Sequence, residues 1–215
     1  MWLKLAVIGV VLVGFALAIR AVIRANRPGA HPAPRPAAPS LGEQIGLLAR
    51  AGLTLSPGVT RADLTDFGPE DTYRHDPWRL LLLTFAIRID RPPHTPFCPA
   101  ACLLRRDAFD APQDFADALR DVARAAGTAD RLGQVNAADR LSYNLGGQSR
   151  EISFDAATDD ILRRVLDDIA ALLPAGRHLA FLDNDPQVAV FCLTDAGHAM
   201  IETAAPGLLH RTPPL

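Results

Sequence analysis

The chain has 215 residues, 49% of them hydrophobic, and its 24 acidic and 22 basic side chains leave a formal charge of −2. That near-neutral total hides a division: residues 1–39 hold Lys4, Arg20, Arg24, Arg27 and Arg35 and no acid, so the remainder sets 17 basic groups against all 24 acids. A domain with that excess of acid repels phosphate backbones, which excludes nucleic acid as a partner and favours a protein with a basic surface.

Met1 to Ile23 reads as a single transmembrane helix. Leu5 to Ile19 contains no charged or strongly polar side chain, and Trp2, Leu3, Ala21, Val22 and Ile23 extend the apolar surface past Lys4 and Arg20. At about 1.5 Å per residue such a helix covers the roughly 30 Å hydrocarbon core, with the two cations reaching the headgroups. A cleaved signal peptide is the competing reading, because Ala16-Leu17-Ala18 supplies a small-residue site. Arg20 and Arg24 weigh against it, since positive charge just after an apolar core opposes export. The same arginines, with Arg27 and Arg35, outnumber Lys4 on the other flank, so the single-pass anchor places the soluble domain on the cytoplasmic side rather than the periplasmic or extracellular one. The expected organisation is therefore an anchor over 1–26, a proline- and alanine-rich linker over 27–39, and one globular domain over 40–215. Prolines 28, 32, 34, 36 and 39 make the linker an extended spacer.

Ser40-Leu41-Gly42-Glu43 is a capping box that opens a first helix ending at Gly52. Thr60 with Asp63 caps a second short helix carrying Leu64. Asp63, Asp66, Glu70 and Asp71 crowd this region, and Tyr73 and Trp78 stand beside them. Solvated helix faces explain the acids and core anchoring explains the aromatics. Together these six residues are also the best sequence candidate for a partner-binding surface.

Asp76-Pro77 predicts the start of a buried helix through Leu80–Ala86, too short to span a bilayer. Ile87 to Asp90 alternates as a strand does, and Pro92-Pro93 and Pro96 then force an open loop. His94, Cys98 and Cys102 follow. Thiolate and imidazole suit zinc, but the spacing fits no common zinc pattern and lacks a fourth ligand, so metal is a weak alternative here beside a Cys98–Cys102 disulfide or free structural thiols.

Leu103 and Leu104 begin a short strand; Asp110 caps a helix, with Pro112 in its first turn, that Gly127 stops; Thr128 to Arg140 reads as a polar connection. Leu141 to Leu145 and Ile152 to Phe154 alternate on either side of Gly146-Gly147, which predicts a hairpin with one buried face. Thr158 caps an amphipathic helix from Asp159 to Leu173. A second hairpin turns at Asp183-Asn184-Asp185-Pro186, and its return strand, apolar on both faces, belongs in the centre of a sheet. A last helix runs from Asp195 to Ala205, and the tail from Pro206 reads as loose.

The order predicts an α+β domain with an antiparallel or mixed sheet of about five strands, packed with helices chiefly on one face. Asp183 and Asp185 admit a carboxylate pair or a calcium loop, although turn chemistry explains them. His178 and Cys192 face each other across the second hairpin as a conceivable base and nucleophile, but an apolar setting keeps the thiol protonated. No motif implies a cofactor. The leading functional expectation is a membrane-anchored, non-enzymatic binding module: an adaptor, an envelope-assembly accessory or an immunity-type protein. A tethered hydrolase or metal enzyme using the His94, Cys98 and Cys102 loop or Asp183 and Asp185 is the alternative.

Overall fold

The computed structural model describes residues 38–215, which form one compact unit. The anchor and nearly all of the linker expected from the sequence lie outside the described residues, and among those described no helix is long and apolar enough to cross a membrane.

The chain enters through the expected capping box. The Glu43 carboxylate accepts the Ser40 N–H at 2.7 Å and the Ser40 hydroxyl accepts the Glu43 N–H at 3.3 Å, which sets the start of α1 (Leu41–Arg50). Asp63 does the same for α2 (Arg61–Phe67) by accepting the Thr60 N–H at 2.7 Å. Two further short helices follow, α3 (Glu70–His75) and α4 (Arg79–Ala86). The start expected at Asp76-Pro77 is displaced to Arg79, because Asp76 still closes α3 through its N–H to Thr72 and the chain must then reverse. Trp78 makes that reversal with φ 72°, a left-handed conformation rare for a bulky residue.

The strand expected over Ile87–Asp90 is reduced to one bridge between Arg88 and Pro96, so residues 88–97 form a looped arm. Then come β1 (Ala101–Arg105), α5 (Pro112–Ala126), β2 (Leu132–Ala137), β3 (Arg140–Leu145), β4 (Gln148–Ser153), α6 (Thr158–Ala170), β5 (Arg177–Asn184), β6 (Gln187–Thr194) and α7 (Asp195–Ala204). Two expected caps move: Ala111, its N–H bound by Asp114, precedes α5 in place of Asp110, and Thr158 lies inside α6 after Ala157.

The fold is α+β, with two antiparallel three-stranded sheets in place of one sheet of about five: β1-β6-β5 and β2-β3-β4. The connection expected over Thr128–Arg140 contains β2, which pairs with β3 in an irregular register between Leu132 and Val135. β6 is central in its sheet, as its apolar sequence requires.

Helices cover both faces of that sheet rather than one. Cys102, Leu104, Leu179, Phe181, Val188, Val190 and Cys192 join α5, α6 and the buried face of β3–β4 in one core. The alternate residues Ala101, Ala180, Leu182, Ala189, Phe191 and Leu193 join α1–α4 and α7 in a second. The period of two along each strand thus divides the domain at the sheet. The tail is not loose: Leu209 is buried, and His210 exchanges two 2.8 Å backbone hydrogen bonds with Phe181 on the outer edge of β5.

Candidate functional site

The Asp63 carboxyl that caps α2 also pairs with Arg91 at 2.6 Å. The Thr60 N–H and then the Arg91 guanidinium hold this carboxyl below the usual carboxylate range. One acid therefore ties the start of α2 to the 88–97 arm. A second anchor sits at the base of the arm, where Arg88 pairs with Asp121 of α5 at 2.5 Å. Between these ties lies a cleft of about 440 Å³, lined by Asp63 and Asp66 from α2, Arg88 to Arg91 from the arm, and Phe97. A smaller hollow, sharing Ile89 and Arg91, continues it past Pro92 and Pro93 to the Pro57-Gly58 turn.

Among the described residues neither Asp66 nor Asp90 has an ion-pair partner, whereas the two arginines at the cleft are both paired. Free carboxylates beside apolar Ile89 and Phe97 are the groups that bind a cation carried on an apolar stem, as in the side chain of arginine or lysine.

The six sequence candidates separate here. Asp63 and Asp66 reach the cleft. Glu70 pairs with Arg61 at 2.6 Å and Asp71 with Arg74 at 3.4 Å, both on the helical surface. Tyr73 is fully buried, its hydroxyl donating to the Leu64 carbonyl at 3.0 Å, so it serves the core and not a surface contact. Trp78 is half-buried at the α3–α4 reversal, and its N–H donates to Gln44. Arg88, Asp90 and Arg91 escaped the sequence reading, although the run Asp90-Arg91-Pro92-Pro93 marks a charged, exposed turn.

The alternative chemistry finds no shared site. His94 is exposed, with φ 56°. Cys98, Cys102 and Cys192 are buried free thiols, not a disulfide pair. Burial pushes Cys98 up to about 11 and Cys102 up to about 12, which keeps both thiols protonated and poorly nucleophilic. Arg124 of α5 fixes this loop by donating to the carbonyls of Pro99 at 3.0 Å and Ala101 at 2.9 Å. His178 lies opposite Leu193, and Leu179 opposite Cys192, so His178 and Cys192 occupy opposite faces of the sheet. Asp185 pairs with Arg106, while Arg79 donates to the Asp183 carbonyl at 2.6 Å and to Asn184. Arg106 thus holds the Asp185 carboxylate and Arg79 the backbone of the turn, while Asp183 Oδ1 is buried without a hydrogen-bond partner among the described residues. No cluster of three metal-ligating side chains occurs among the described residues. Comparison with protein-family models, curated proteins and solved structures returns no match for the chain.

Proposed function

We propose that this chain is a membrane-tethered, non-enzymatic binding module that takes a basic segment of a partner protein in the cleft between α2 and the 88–97 arm. The carrying observation is the pair of carboxylates, Asp66 and Asp90, left without ion-pair partners beside Ile89 and Phe97. The apolar run of residues 1–23 supports the tether, the proline-rich linker supports a stand-off from the bilayer, and the excess of Arg20, Arg24, Arg27 and Arg35 supports a cytoplasmic domain. The acidic balance beyond residue 39 supports a basic partner and steers its approach. Adaptor, assembly accessory and immunity-type roles all use such a surface.

Selecting random displayed peptides on the full-length chain in lipid nanodiscs tests the reading. Enriched peptides carry lysine or arginine next to an apolar residue, and the double substitution Asp66→Asn with Asp90→Asn weakens them by about tenfold or more, equivalent to about 1.4 kcal/mol. Peptides without basic residues, or affinities indifferent to the double substitution, overturn it.

A further inference from the structure

His178 and His198 are far apart in sequence and meet because β6 runs directly into α7. Register places Arg177 opposite Thr194, and Thr194 caps α7 by accepting the Gly197 N–H at 3.0 Å. The first turn of α7 is thereby laid over the start of β5. His178 Nε2 and His198 Nδ1 come to 2.7 Å, a single hydrogen bond in which one ring nitrogen must donate and the other accept. The far nitrogen of His178, Nδ1, lies 3.3 Å from the Asp195 carboxylate. That contact lacks hydrogen-bond geometry and leaves Nδ1 buried without a hydrogen-bond partner among the described residues, so either ring can be the donor in the His178–His198 bond.

We propose that the His178–His198 contact is a pH-sensitive clasp that holds α7 and the C-terminal tail against β5 and releases them in mild acid. With both rings neutral, or with one of them charged, one facing nitrogen still accepts from the other; only when both rings are protonated is the acceptor lost and do two cations face each other across a hydrogen-bond distance. The groups around the pair are Asp195 and Glu202 of α7 and Arg211 of the tail. Arg211 adds further positive charge and is itself tied to Asp195 at 2.9 Å, which leaves Glu202 as the main acid opposing it at His198. Burial, followed by Arg211, holds both imidazoles below the ordinary value of 6.5.

The sign follows from linkage. The unfolded or released form binds protons at the ordinary histidine value, and the clasped form binds them only at lower pH. The stabilisation is therefore complete above 6.5 and declines as pH falls through that value towards the depressed ones. Release has a structural consequence: residue 210 occupies the outer edge of β5, so a freed tail exposes that edge together with Leu209 and Ile201, a surface suited to strand addition.

Hydrogen exchange of the full-length chain, corrected for intrinsic rates, at about pH 7.5 and about pH 5 reads the clasp directly. Protection over residues 195–215 falls about tenfold or more in acid while α5 keeps its protection, and the variant His178→Gln with His198→Gln loses this difference. Equal protection at both pH values, or an acid response that survives in the variant, overturns the proposal. Histidine ring resonances in the unsubstituted protein give a second reading that does not depend on the variant folding. The two rings titrate stepwise, the second well below the first; independent titrations near the ordinary value overturn the clasp.

Discussion

Gln44 has no exposed surface, yet its side chain makes three hydrogen bonds: its amide nitrogen donates to the carbonyls of Pro39 at 3.0 Å and Tyr73 at 2.8 Å, and its oxygen accepts the Trp78 N–H at 3.1 Å. One polar side chain on α1 thus satisfies the backbone where α3 ends and α4 begins, including the N–H of the left-handed Trp78. Tyr143 plays a comparable part on the other side of the sheet. It is 2% exposed, and its hydroxyl donates to the Asp168 carboxylate at 2.5 Å, joining β3 to α6. Burial and then this bond raise its phenol well above the ordinary tyrosine value. A hydrogen bond to a charged acceptor contributes about 1.5–3 kcal/mol. Asp168 keeps Arg150 at 3.4 Å and some solvent, so Tyr143→Phe is expected to cost towards the lower end, about 1.5 kcal/mol. Urea unfolding measures it as a lower midpoint with an unchanged slope; an unchanged midpoint would show that solvent replaces the bond fully.

At the level of elements, what could be read from the sequence was what short-range chemistry decides. Ser40 with Glu43 and Thr60 with Asp63 start α1 and α2 because a carboxylate three residues on reaches its own cap. Gly146-Gly147 turns β3 into β4, with φ of 59° and 85° at the two glycines. The misses share a different cause. β2 offers only Leu132, Val135 and the small Ala137 as apolar residues, and its existence depends on β3 lying beside it. The division into two sheets rests on β1 pairing with β6 some ninety residues later, which no local period encodes. The His178–His198 contact and the arm's share of the cleft are equally non-local; only Asp63 and Asp66 were in view. Gly197 tests how closely such elements meet. An added Cβ there would lie 2.2 Å from the Ala51 carbonyl oxygen, at the end of α1. Alanine gains about 1 kcal/mol of helix propensity over glycine. The collision is with backbone and cannot be relieved by a rotamer, so overpacking of about 1–3 kcal/mol should prevail. Gly197→Ala is thus expected to lower the melting temperature; a rise would mean that α7 lifts freely off α1.

On the scale of the whole domain, the β1-β6-β5 sheet is a wall shared by two cores. Along β6, Val188, Val190 and Cys192 belong to one core and Ala189, Phe191 and Leu193 to the other, so neither core can dissolve without stripping a face from the same strand. Two separate hydrophobic clusters therefore do not imply two stability units. Leu119 on α5 and Phe85 on α4 are fully buried, one in each core. Truncation should cost about 2–5 kcal/mol for Leu119→Ala and about 3–5 kcal/mol for Phe85→Ala. If the wall couples the cores, each substitution moves one common transition, and far-UV dichroism and tryptophan fluorescence of the full-length chain stay coincident in urea in both variants. Were the cores independent, Phe85→Ala would shift the packing around Trp78 while the dichroism of α5 and α6 held its original midpoint, and the two probes would separate. Coincidence is the expected result, because the strands that would have to survive such a split carry the side chains of both cores.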